Sequence, residues 1–196
     1  MIQKVKISIE SGNMSIFQGL FAYGFKIDVQ ISSSLLDMLC RQIGISEAYL
    51  NDRVQTIFLN GKVVDDISSE IVKDESVVAL SAAMPGLVGA VFRKGGILSS
   101  MRSGIKNQTP ERAITLHRGH VTLKFFNLIA AELGSDFLKK GISVKGYHFI
   151  RYFNRKRSQL ESVCRLVRID GKKYEIEEAL SVCRQDGDIL FSLNSA

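Results

Sequence analysis

Two segments of this 196-residue chain repeat one another, and the repetition restricts the possible folds more than any other feature of the sequence. Val54–Lys62 alternates apolar and polar residues into an Asn60-Gly61 turn, and Arg165–Lys172 does the same into Asp170-Gly171. Both dipeptides favour the positive φ angles of tight hairpin turns, so each marks two antiparallel strands. Downstream, Asp74–Ser81 and Asp186–Leu193 are each an acidic turn leading into an apolar strand. Upstream, Val5, Ile7 and Ile9 alternate as Val121, Leu123 and Phe125 do.

Each half thus reads strand, strand, helix, strand, turn, strand. In the first half, Ser32–Ser34 can cap a helix running to Ile43, with Leu35, Leu36, Met38, Leu39 and Ile43 on its apolar faces. Its counterpart lies around Tyr147–Leu160 and carries Phe149, Ile150 and Phe153. The expected organisation is one unit over residues 1–87, a second over 119–196, and a basic linker or long loop over 88–118. Within that linker, Arg93, Lys94, Gly95, Gly96, Arg102, Gly104, Lys106, Arg112 and Arg118 face a single acid, Glu111. It has frequent Gly, Ser and Asn and no apolar period.

This element order resembles the β-grasp, or ubiquitin-like, superfold: an α+β fold in which a mixed sheet grips a helix, here present as two units in tandem. His120–Gly134 is similar to the opening of the small subunit of molybdopterin synthase and related sulfur carriers, where a strand passes through an aromatic into a short helical turn ending in Gly. Asn60-Gly61 with Asp74–Leu80, and Asp170-Gly171 with Asp186–Asp188, are similar to the later strands of that family. Carriers work through a C-terminal Gly-Gly that is adenylated and then holds a thiocarboxylate. Here Gly86 stands at the first glycine position but Leu87 at the second, and the second copy ends Leu193-Asn194-Ser195-Ala196. An intact carrier function is therefore not expected. An alternative is cleavage after Gly95-Gly96, which would expose a diglycine end on residues 1–96.

Charge separates the two halves. Residues 1–100 hold 9 Lys/Arg against 10 Asp/Glu, and 101–196 hold 17 against 10, so the whole excess of +6 lies in the second half. Such a surface suits an acidic protein partner, a nucleic acid or another polyanion. The candidate partner-binding residues are Arg93, Lys94, Arg102 and Lys106 in the linker, with Arg151, Arg155, Lys156 and Arg157 on the second helix. For that helix, the competing reading is a solvated face with Arg157 paired to Glu161.

Other chemistries lack a pattern. His117 and His120 have no further ligands at zinc spacing, so neither a metal site nor a cofactor is expected. The glycines match neither phosphate-binding fingerprint. Cys40, Cys164 and Cys183 form no Cys-x-x-Cys pair and read as small buried hydrophobes, which fits a reducing cytoplasm. The uncharged run Ser76–Phe92 is short for a membrane span and contains Pro85, Gly86 and Gly89; it reads as a buried strand and an apolar loop. The resulting expectation is a cytoplasmic, non-catalytic binding or adaptor protein that docks a protein partner through a sheet surface and the basic linker. Nucleic-acid binding by the basic half and a processed carrier relative are the alternatives.

Overall fold

A computed structural model describes residues 2–83, 89, 92, 93 and 117–195. They form a mixed α and β structure with ten strands among the described residues. Strand β1 (Gln3–Ile9) leads through a 3-10 segment (Met14–Ala22) to β2 (Phe25–Ile31). Helix α1 (Leu35–Asp37) continues as a π-helical turn (Met38–Gln42) and is followed by α2 (Glu47–Asp52). Then come β3 (Thr56–Leu59), β4 (Lys62–Val63), β5 (Val77–Ser81) and β6 (His117–Phe126). The remainder is α3 (Leu128–Lys140), β7 (Ile142–Lys145), α4 (Gly146–Arg155), α5 (Arg157–Val163), β8 (Cys164–Ile169), β9 (Lys172–Tyr174), α6 (Ile176–Val182) and β10 (Asp188–Ser195).

The chain divides into two compact units that do not follow the order of its two sequence copies. One comprises Met1–Lys26 with Ala130–Ala196, the other Ile27–Ile129. In the second unit the strands run β4-β3-β5-β6-β2. Strands β3 and β4 form a hairpin through Asn60 (φ 52°) and Gly61 (φ 79°), as the Asn-Gly signal requires. Strand β3 is antiparallel to β5, and β5 is parallel to β6 with Val77 opposite Thr122 and Ser81 opposite Phe126. Ile57, Leu59, Val78, Leu80, Leu123 and Phe125 point to one side and are buried. Leu35, Met38 and Leu39 are buried as well, and the first turn of their helix is capped by Ser34, whose Oγ accepts the Asp37 N–H at 3.1 Å.

In the other unit the order is β7-β10-β1-β8-β9. Strand β1 lies parallel to β10, with Gln3 opposite Ile189 and Ile9 opposite Ser195, and antiparallel to β8. Strands β8 and β9 form the second expected hairpin through Asp170 (φ 49°) and Gly171 (φ 87°). Each unit therefore has an edge hairpin beside a parallel pair. In each, the parallel pair joins a strand of one sequence copy to the first strand of the other: β5 with β6, and β10 with β1.

The core of this unit is aromatic. Phe153 stacks on Phe149 with ring centroids 4.0 Å apart, and Phe17 and Phe191 meet the pair at 5.2–5.8 Å. The helix expected at Tyr147–Leu160 is two helices, α4 and α5, broken at Lys156 (φ −104°, ψ 9°). The short helical turn expected to end at Gly134 instead runs on to Lys140, and it is Gly141 (φ 98°) that closes it. Gly134 lies inside that helix against the Phe21 ring, where an added Cβ would sit 2.5 Å from a ring carbon.

Among the described glycines, backbone approaches most tightly at Gly146, the first residue of α4. A Cβ there would lie 2.1 Å from the Arg184 carbonyl oxygen and 2.8 Å from that of Gln185. Backbone cannot swing aside as a side-chain tip can, so Gly146→Ala is expected to destabilise the fold by about 1–3 kcal/mol. Urea denaturation measures this directly; an unchanged midpoint would mean that the Arg184–Gln185 segment yields.

Candidate functional site

Among the described residues one face of the second unit's mixed sheet is left largely open, and it is apolar where a solvated sheet face usually carries polar residues. Alternation along each strand sends Phe58, Val77, Ala79, Lys124 and Phe126 to this face, half-buried. The pairing register explains its shape. Phe58 lies opposite Ala79 and Ala79 opposite Lys124, while Ser81 lies opposite Phe126. The middle strand thus presents the small residues Ala79 and Ser81 between larger ones on either side. The result is a groove of about 440 Å³ lined by Phe58, Val77, Ala79, Lys124 and Phe126 among others. Its walls stand two strand spacings apart, roughly 9–10 Å, the width of one extended peptide.

One end of the groove is fixed by Asn127, whose φ of 54° turns the chain from β6 into α3. Its side-chain amide donates to the Ala83 carbonyl at 2.6 Å. Beside the other wall, Phe92 meets Phe58 edge-on at 5.6 Å. An aromatic ring already finds a partner there.

A second surface lies in the other unit. The 3.6-residue period of α4 buries Phe149, Tyr152 and Phe153 and turns Tyr147, Arg151, Asn154 and Arg155 outward. With Ile150 and Gln185 these outward residues line a shallow groove of about 510 Å³. Tyr147 is 52% exposed, and its ring is backed by His148 at 3.9 Å, which in turn meets Tyr23 at 4.7 Å. The Tyr23 hydroxyl accepts a hydrogen bond from Arg155 Nη1 at 3.3 Å.

The residues selected from sequence divide as follows. Arg151 and Arg155 come together on this groove. Lys156 is half-buried at the break between α4 and α5. Arg157 turns away: its Nε donates to Glu161 at 2.9 Å and its Nη2 to Glu177, and these carboxylates hold its pKa above the ordinary value. Arg93 is exposed, and its backbone N–H donates to the Gly89 carbonyl at 3.0 Å. Lys94, Gly95, Gly96, Arg102 and Lys106 lie outside the described residues. Sequence reasoning missed the sheet-face groove. Its signal was the run Val77–Ala83, in which the positions owed to solvent are as apolar as those owed to the core.

Reactive groups have ordinary surroundings. His120 Nδ1 lies 2.6 Å from Asp28 Oδ1, but both side chains are well exposed, where such a pair contributes little. Among the described residues no group of three or more His, Cys, Asp or Glu is placed to hold a metal ion, and no helix is long and apolar enough to cross a membrane. Burial raises the Cys40 thiol and pushes Cys164 and Cys183 up to about 11, with Asp170 adding to the effect on Cys183. A raised pKa means few thiolates at neutral pH, the reverse of an activated nucleophile.

The same shifts have a consequence for stability. The unfolded chain gives up these thiol protons near the ordinary pKa of 9.0, whereas the folded chain keeps them to about 11. Their contribution is therefore complete below about pH 9 and lost as pH rises through 11. The melting temperature is expected to fall across that interval, and the double variant Cys164→Ala, Cys183→Ala to fall less steeply; parallel curves would contradict the assignment. No protein-family model, curated protein or solved structure matches this chain at a significant level.

Proposed function

We propose that this chain is a non-catalytic docking protein built from two β-grasp units, and that the groove on the Ile27–Ile129 sheet seats an apolar peptide segment of a protein partner. The observation that carries this reading is the row Phe58-Ala79-Lys124, in which a small residue sits between an aromatic wall and a cationic rim. Strand order supports the β-grasp assignment: an edge hairpin, a central parallel pair and a helix following the second strand of the copy.

Apolar area left open on a sheet face gains free energy when a partner covers it, about 25 cal/mol per Å². The groove's width admits one side chain at a time between its walls. The edge-on contact of Phe92 with Phe58 supports an aromatic or large aliphatic anchor. Lys124, half-buried on the rim and with no carboxylate partner among the described residues, supports an acidic residue beside that anchor. The occupant is thus a short segment with an apolar anchor and an adjacent Asp or Glu, in keeping with a partner of acidic surface.

A peptide library displayed on phage and selected against the full chain tests this. Enriched peptides should share an aromatic or large aliphatic anchor with an acidic neighbour. Ala79→Glu should weaken them at least about tenfold with little change in melting temperature, and Lys124→Glu should shift the preferred neighbour to Lys or Arg. Peptides with no common anchor, or binding indifferent to Ala79→Glu, would defeat the reading.

A further inference from the structure

We infer that the outward stripe of α4 is a cradle for single-stranded nucleic acid, with backbone phosphates on Arg151 and Arg155 and an unpaired base stacked on Tyr147. This site lies in the unit made of Met1–Lys26 and Ala130–Ala196 and stands independently of the sheet-face groove.

The argument begins with which cations are available. Two Arg side chains near α4 and α5 are engaged by carboxylates: Arg157 by Glu161 and Glu177, and Arg165 by Glu10. Among the described residues Arg151 has no carboxylate partner, and Arg155 has none either, donating instead to the Tyr23 hydroxyl. Among the described residues the groove that the two share is lined by no Asp or Glu. Two guanidinium groups one helical turn apart, about 6 Å along the axis, thus face solvent without counter-charge. A guanidinium stays charged at any physiological pH and offers a fork of donors that fits phosphate oxygens.

Charge alone would suit any polyanion, so the neighbouring side chains decide the class. Tyr147 is half-exposed, in line with Arg151 at the i, i+4 spacing, and it caps a column of rings through His148 and Tyr23. A ring backed by others is a rigid platform for a flat, unpaired base, and such stacking tolerates any sequence. Asn154 and Gln185 complete the lining with amides that both donate and accept, as base edges require. An acidic peptide would use the two arginines and leave the ring and amides idle. A duplex keeps its bases stacked inside and gives the ring nothing to hold.

The experiment is fluorescence anisotropy of labelled oligo(dT) and oligo(rU), about 12 nucleotides long, against the full chain from about 50 to 200 mM salt. Binding of either or both is expected; the two arms separate a DNA from an RNA source. Arg151→Ala with Arg155→Ala should lower affinity at least about tenfold and flatten the log–log salt slope by about 1.4, the release expected from two single-strand phosphates. Tyr147→Ala should weaken binding roughly fivefold or more, while Tyr147→Phe retains it. All three side chains are surface-facing, and matched melting curves check that the variants fold. Failure of both oligonucleotides to bind, wild-type affinity in the double arginine variant or in Tyr147→Ala, or equal competition by polyphosphate, polyglutamate or duplex DNA would each overturn the inference.

Discussion

Everything in the unit that carries α4 depends on one strand pairing, that of Gln3–Ile9 with Asp188–Ser195. Strand β1 sits between β10 and β8, and Val5, Ile7 and Ile9 are at most 2% exposed. Closing a loop of such length is entropically unfavourable, although the cost rises only with the logarithm of its length. Burial of the aromatic cluster of Phe17, Phe149, Phe153 and Phe191 offsets it. That cluster also orients α4: with Phe149 and Phe153 turned inward, helical geometry forces Tyr147, Arg151 and Arg155 outward. The basic surface is thus a by-product of core packing as much as of charge.

The two surfaces differ in the physics they use. For the peptide proposed on the sheet face, the driving force would be removal of apolar area from water, with one lysine giving direction. For the nucleic acid proposed on α4 it would be charge and ring stacking, which salt screens. None of the three cysteine thiols is activated: each has a pKa raised above the ordinary value. The thiols of Cys164 and Cys183 are held protonated by burial.

Much of the local structure was legible in the sequence. The two turns sit where Asn60-Gly61 and Asp170-Gly171 put them, Ser34 caps the helix it precedes, and alternation in β1 and β6 marks their buried faces. Alternation identifies a face, however, and says nothing about the neighbouring strand. The exchange of first strands between the copies was invisible for that reason. The end of α3 was misplaced because Gly134 looked like a stop, whereas a tertiary contact, the Phe21 ring, requires a glycine there. The groove escaped notice because a fully buried strand and a strand with an apolar open face have the same run of residues. The pair of Arg157 with Glu161 could be read from i, i+4 spacing; its second partner, Glu177, lies twenty residues away and belongs to another helix.

Exchange of the first strands also orders events during synthesis. The sheet of the Ile27–Ile129 unit gains its last strand once Phe126 has left the ribosome. Strand β1 has both its sheet partners, β8 and β10, more than 150 residues behind it. Until those partners emerge, Val5, Ile7 and Ile9 are an apolar strand with no sheet to join. Of the ten strands among the described residues it is the earliest made and among the last paired, so it is the one that a chaperone has most time to meet.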